Sequence, residues 1–238
     1  MADRPILFSR PMVLALLDGR KTQTRRIIKP RSKNRPSLFD GSWSDSYVLD
    51  PGNESWRQDD ILIKVGDRLW VRETLTCCTD WGLFYDAHGG IGPSEEHFLR
   101  DDRAEPIVDR YSRDDETLWN VPSIFMPRWA SRLTLTVTDV RVERLCSITD
   151  EDAIAEGILP DPDRPGWWMA STDEADRCPT PRDAYLDLWN SINGDGASRL
   201  DPWVVADTFT VERRNIDAPA NTATGSSPSS TDGGKNGG

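Results

Sequence analysis

Histidine and cysteine are scarce in this chain. Two His and four Cys in 238 residues leave little material for a metal centre. Cys77, Cys78, His88 and His97 follow neither a Cys-x-x-Cys nor a His-x-x-x-His spacing, so ordinary thiols are expected, with no metal and no cofactor. Four Cys also do not make a disulfide framework. No stretch reaches the roughly 18 apolar residues of a spanning helix, so no membrane partner is expected. The segment from Met1 to Ser9 lacks the apolar core of a secretory signal. These absences lead to the expectation of a cytoplasmic protein. There is no phosphate-binding or dinucleotide glycine fingerprint, and no Gly-x-Ser-x-Gly elbow stands beside the two His.

Acid is present in excess. Against 29 Lys and Arg stand 40 Asp and Glu, a net charge of −11. A surface of that sign does not coat nucleic acid. The charge is uneven, however. Residues 1–36 hold ten Lys/Arg against two acids, a balance of +8, and the other 202 residues hold 19 against 38, or −19. Two readings follow: a solvated basic face, or a local anion site for a phosphate or nucleotide on an acidic body. Ten Trp argue for a packed core or a ligand to cover their rings.

Along the chain, Pro11 to Leu17 predicts a short helix stopped at Gly19, and Thr22 to Ile28 predicts a strand. Residues 30–60 read as a surface excursion, with Trp43 to Leu49 as its one strand candidate. Ile61 to Lys64 and Leu69 to Glu73 predict two strands around a Gly66-Asp67 turn. Residues 76–127 form a second excursion, and excursions of such length read as lids or as insertions on an older core. Its acids Asp109, Asp114, Asp115 and Glu116 suit a solvated charge run better than a cation site. Leu133, Leu135 and Val137 alternate with polar residues in a long half-buried strand. Thr149, with Asp152 three residues on, opens a helix that stops at Gly157. Arg182 to Ile192 is a second helix with Tyr185, Leu188, Trp189 and Ile192 on one stripe, and Trp203 to Arg213 is a closing strand. Residues 215–238 compose a disordered tail. The strands are not separated by regular crossover helices, so the expected class is α+β: a small mixed or antiparallel β-barrel with flanking helices and two long insertions, one domain over residues 1–214.

The segment Gly19-Arg20-Lys21-Thr22-Gln23-Thr24-Arg25-Arg26 concentrates the chemistry. A Lys in a partly buried, cation-rich site loses its proton near neutrality and becomes a base. Thr24 is a hydroxyl nucleophile within its reach, provided that Lys21 is still in the turn, since residues three apart on a strand face opposite ways. A basic strand edge with no catalytic role is the alternative.

Gly19-x-Lys21-x-x-Thr24-x-Arg26 resembles the Gly-x-Lys-x-x-x-x-Arg signature of the ASCH-domain family. Gly66-Asp67-x-Leu69-x-Val71 resembles that family's next strand entry. Further blocks at Arg4 to Val13, Gly66 to Glu73, Pro127 to Arg132 and Asp201 to Val204 are similar to phage and prophage ASCH-like proteins. The resemblance implies a PUA-like β-barrel and a nucleoside, nucleotide or short single-stranded RNA as partner. One branch of the family is an amidohydrolase that removes the acetyl group from N4-acetylcytidine with a Lys, a Thr and a Glu. Carried over, these are Lys21 as base, Thr24 as nucleophile and Glu156, reached by aligning the helix that follows the long strand. Arg20, Arg25 and Arg26 would bind substrate, Arg26 also a developing oxyanion. Trp70 and Trp129 would stack a base or, as the alternative reading, pack in the core. Glu73 is a second acid candidate near the substrate, without a counterpart in that branch, or else the partner in an edge-strand salt bridge. Other branches imply a ribonuclease or a non-catalytic RNA-binding module.

Overall fold

The computed structural model describes residues 1–31, 36–78, 82–88, 98–111, 118–170 and 177–219. It is a mixed α+β architecture of several sheets and a few helices. In chain order, β1 (Asp3–Leu7), α1 (Arg10–Leu17) and β2 (Gln23–Ile27) come first. Two short helices follow, α2 (Asp45–Val48) and α3 (Glu54–Asp60). Next come β3 (Arg68–Arg72), β4 (Leu75–Cys78), β5 (Gly82–Tyr85), α4 (Glu105–Tyr111) and β6 (Trp119–Val121). The chain closes through β7 (Thr134–Arg144), α5 (Asp150–Ala155), β8 (Leu159–Pro160), β9 (Trp168–Met169), α6 (Pro181–Asn193) and β10 (Trp203–Glu212).

Five strands make the main sheet in the order β1-β3-β7-β10-β2, antiparallel except for β1 beside β3. Strands β7 and β10 pair along most of their length, the alternating β7 against a β10 that opens on the apolar run Trp203 to Ala206. The two edge strands come close enough for Arg26 Nη2 of β2 to donate to the Leu7 carbonyl of β1 at 2.7 Å. Between the sheet and α1 lies a core of Ile6, Phe8, Val13, Leu16, Leu69, Leu135 and Phe209.

The excursions hold more structure than their composition suggests. Residues 76–127 supply most of a three-stranded antiparallel sheet, β5-β4-β6, with its own core of Leu75, Leu83, Val121 and Met126. Within residues 30–60, Leu38 and Val48 pack with Trp203. The strand expected over Trp43 to Leu49 is instead helical. Ser44 Oγ accepts from Tyr47 N at 3.3 Å, and Trp43 stacks on Tyr47 one turn away at 4.8 Å, so a cap and an i,i+4 contact outweigh β propensity. Ile61 to Lys64 is not a strand either. Its end is tied by the Asp67 carboxylate, which accepts from Lys64 N at 3.3 Å and from Ala2 N at 2.7 Å.

The expected tail begins too early at residue 215. Asn215 Nδ2 donates to the carbonyls of Arg128, Trp129 and Ser131 at 2.9, 3.1 and 2.7 Å, Ile216 is buried, and Asp217 pairs with Arg128. One amide reaches three backbone carbonyls with its two N–H bonds and pins the chain after β10. Residues 220–238 lie outside the described residues. Among the described residues, no helix is long and apolar enough to cross a membrane.

Replacing Ile216 by Ala leaves a cavity under this anchor. The expected loss is about 2–5 kcal/mol, read as a lower urea midpoint with an unchanged slope.

Candidate active site

The Gly19–Arg26 segment caps a helix. A helix leaves its last carbonyls without intrahelical donors, and α5 ends in the acid Glu156, followed by Gly157 at φ +109°. The carbonyls of its last residue, of its cap and of Gly157 are satisfied from the basic segment. Thr22 N donates to Ala155 O at 2.8 Å, Lys21 Nζ to Glu156 O at 2.8 Å and Arg20 Nη1 to Gly157 O at 2.9 Å. Positive groups at the carbonyl end of a helix are also favoured electrostatically. The close approach needs Gly157. A Cβ there would sit 3.1 Å from the Ala15 Cβ and 3.5 Å from the Lys21 Cβ, and the backbone conformation itself favours glycine.

This docking places Glu156 on Lys21. Lys21 Nζ lies 2.7 Å from Glu156 Oε2, with both side chains buried. Burial drives the Lys21 pKa down; Glu156 opposes this, and Arg26 and Arg25 add to the fall. The other carboxylate oxygen, Oε1, lies 3.2 Å from Arg25 Nη1. Arg25 Nη2 also faces Glu143 Oε1 at 2.7 Å and Asp152 Oδ2 at 2.8 Å, and Nη1 donates to Gln23 Oε1. Burial works against the Arg25 charge, yet the carboxylates of Glu156, Glu143 and Asp152 hold its pKa above the usual value.

A cavity of about 420 Å³ opens beside this network, inside the range of about 300–1,000 Å³ that suits small ligands. Thr24, Arg25, Arg26 and Glu156 line its polar side. Helix α6 forms the opposite wall through Tyr185, Leu188, Trp189 and Ile192, the apolar stripe legible in the sequence. Leu7, Met12 and Ile27 complete an apolar rim, and Lys29 stands exposed at the mouth. None of these residues comes from the excursions at 30–60 and 76–127.

The structure therefore gathers Lys21, Thr24, Arg25, Arg26 and Glu156 at one place, with Lys21 behind Glu156 rather than in the cavity wall. Arg20 remains outside the wall, clamped between Gly157 O and the Asp18 carboxylate at 2.9 Å each. Trp70 and Glu73 are not brought to the cavity. Trp70 is buried in β3 with the Arg72 guanidinium 4.6 Å from its ring. Glu73 is buried against Arg132, which holds both its oxygens at 2.9 and 2.8 Å. Burial raises the Glu73 pKa, with Arg132 opposing. Trp129 lies elsewhere too, under the Arg103 guanidinium at 4.7 Å. His97, Asp114, Asp115, Glu116 and the side chains of Cys78 and His88 lie outside the described residues. Among the described residues no cluster of His, Cys, Asp or Glu has the makings of a metal site.

Sequence reasoning passed over Asp207. It is the single acid in the apolar run Trp203 to Ala206 and Phe209, which was the available signal. Its Cα pairs with that of Thr24 across β10 and β2. It is buried, and burial pushes its carboxyl up to about 7, with Arg26 opposing and Glu156 adding to the rise.

No family model, curated protein or solved structure matches this chain.

Lys21→Met removes one partner of a buried pair. It is expected to cost about 3–5 kcal/mol, measured by chemical denaturation. A second outcome concerns pH. Asp207 holds a proton in the folded chain that the unfolded chain releases near pH 4. Its stabilising contribution is thus present at the acid end and lost as pH rises through about 7. Asp207→Asn lacks this component. Relative to wild type, the variant is expected to gain roughly 2–3 kcal/mol between about pH 5 and about pH 8, compared by denaturation at both values.

Proposed function

We propose that this chain is an ASCH-type protein on a PUA-like frame, that it binds a nucleotide or modified base in the α6-walled cavity, and that it hydrolyses the amide of an N4-acylated cytosine. One observation carries the reading. Thr24 and Glu156 line the same cavity, and Lys21 Nζ stands 2.7 Å behind the Glu156 carboxylate. A hydroxyl, a carboxylate and a buried amine with a lowered pKa are the parts of an activated nucleophile.

In this mechanism Thr24 Oγ attacks the acyl carbonyl carbon while its proton passes to the Lys21–Glu156 pair. Arg26 lines the cavity, so its guanidinium is the donor offered to the oxyanion. The C–N bond breaks, the cytosine N4 takes the proton from the pair, and the acyl group remains on Thr24. Water then attacks the acyl carbon and gives its proton to the pair. Thr24 Oγ leaves and recovers that proton, and the acid is released. The apolar rim of Leu7, Met12, Leu188 and Ile192 supports a flat base or acyl group above this polar floor.

The engagement of Lys21 with two acceptors favours a second reading, in which the network is a structural cornerstone and the cavity binds RNA or a modified base without turnover. Incubation with N4-acetylcytidine separates the two. Wild type is expected to release cytidine and acetate. Thr24→Val and Glu156→Gln are expected to slow this about 10²–10⁴-fold, read by chromatography. A wild type that releases no cytidine, or a Thr24→Val variant at full rate, sinks the hydrolase. Salt-sensitive RNA binding lost in Arg26→Ala then supports the binding module, and single-stranded RNA cleavage lost in Glu156→Gln supports the nuclease branch.

A further inference from the structure

Asp207 and Arg26 are each left incomplete by the structure. Asp207 is 0% exposed, and neither of its carboxylate oxygens has a hydrogen-bond partner. Arg26 Nε is likewise buried without one, while Nη2 donates to the Leu7 carbonyl at 2.7 Å. Buried polar atoms are nearly always paired, so a complementary orphan donor and acceptor on adjacent strands require an explanation. Strand geometry puts them together. Asp207 is the cross-strand partner of Thr24, Arg26 lies two residues beyond Thr24, and alternate residues share a face. The ladder between β10 and β7 shifts register between Thr208 and Phe209, one residue past Asp207. Such irregularities re-aim side chains near functional sites.

The charged surroundings of Asp207 are few. From β2 comes Arg26, and from the end of α5 comes Glu156, itself paired with Lys21 of the preceding turn. On β7 its register partner is the uncharged Val140. The β7 charges Asp139 and Arg141 pair with Thr208 and Ala206, and so belong to the opposite face. Phe8 of the β1–α1 connection packs near both Lys21 and Arg26, 5.6 Å from each cation, and brings no charge. Arg26 is thus the cation placed to answer an ionised Asp207.

We infer that Asp207 is a positioning residue that switches Arg26 between two partners. With Asp207 protonated, Arg26 reaches for the Leu7 carbonyl and stands in the cavity wall. Once Asp207 gives its proton to solvent, an unpaired carboxylate in this interior is strongly unfavourable. The guanidinium then turns inward to pair with it and leaves the wall. Burial sets the carboxyl at about 7, which puts the switch near neutrality. The turnover readout rests on the hydrolase reading, but the switch itself does not.

Two measurements test it. In ligand-free protein, the Arg26 Nε–H resonance, assigned by its absence in Arg26→Lys, is expected to shift with a midpoint near pH 7 in wild type. It is expected not to shift in Asp207→Asn. In the hydrolysis assay, wild-type kcat/KM is expected to fall about tenfold per pH unit above that midpoint, and the Asp207→Asn profile to run flat between about pH 6 and about pH 9. An Arg26 resonance indifferent to pH in folded wild type overturns the switch. So does an alkaline fall of the same midpoint in both proteins. If Asp207→Asn does not fold, a ¹³C titration of the wild-type Asp207 carboxyl decides, and a midpoint that differs from that of the Arg26 resonance overturns the switch. Absence of hydrolysis at every pH, with the Arg26 shift present, supports the switch and counts only against the hydrolase.

Discussion

The structure turns on the contact between the end of α5 and the segment from Arg20 to Arg25. A helix terminus with open carbonyls meets a turn rich in donors, and the ion pair of Lys21 with Glu156 forms underneath. Neither half is tolerable alone. A buried ammonium and a buried carboxylate each carry a large desolvation cost, which their pairing offsets together with Arg25 on Glu156 and the Glu156 carbonyl on Lys21. Once joined, they hold α5 against β2, and α6 packs against α5 through the cluster of Leu145, Ala153, Tyr185 and Trp189. The cavity is the space left between α6 and β2. Its existence follows from a capping contact, and its polar floor is the same network seen from the other side.

This arrangement alters the meaning of the basic N-terminal strip. Lys21 and Arg25 are not a field presented to a polyanion. They are buried counter-charges to Glu156, Glu143 and Asp152. Asp18 answers Arg20, and the Leu7 carbonyl answers Arg26. Lys29 at the mouth remains exposed. Part of the local excess of positive charge is therefore internal, while Arg10 and Arg31 stay exposed with Lys29. The excursions stand apart from this. The sheet β5-β4-β6 carries its own core and contributes nothing to the cavity lining.

The elements most legible in the sequence were those whose pattern is local. The alternation in β7, the Thr149 cap, the stripe of α6 and the run of β10 each announce themselves within about a dozen residues, because period and capping are short-range properties. The helix at Asp45–Val48 was hidden because its aromatic and branched residues are β-prone, while the Ser44 cap and the Trp43–Tyr47 stack that decide it are side-chain events. The anchor at Asn215 was hidden because three carbonyls in a distant segment give it its role.

The site divides in the same way. Lys21, Thr24 and Arg26 were readable as a cluster because they lie within six residues of one another, and Glu156 was reachable because it ends a helix with a visible start. Which of them face a ligand was a matter of tertiary structure. Trp70 and Glu73 have the right chemistry, but β3 and the residue after it set them against Arg72 and Arg132. Asp207, one acid in an apolar strand, gains its meaning from the register of β10 against β2, which sets it across from Thr24. The sequence by itself determined composition, local periodicity and the charges available. Only the folded chain decided which charges meet, because desolvation and hydrogen bonding depend on neighbours more than a hundred residues away.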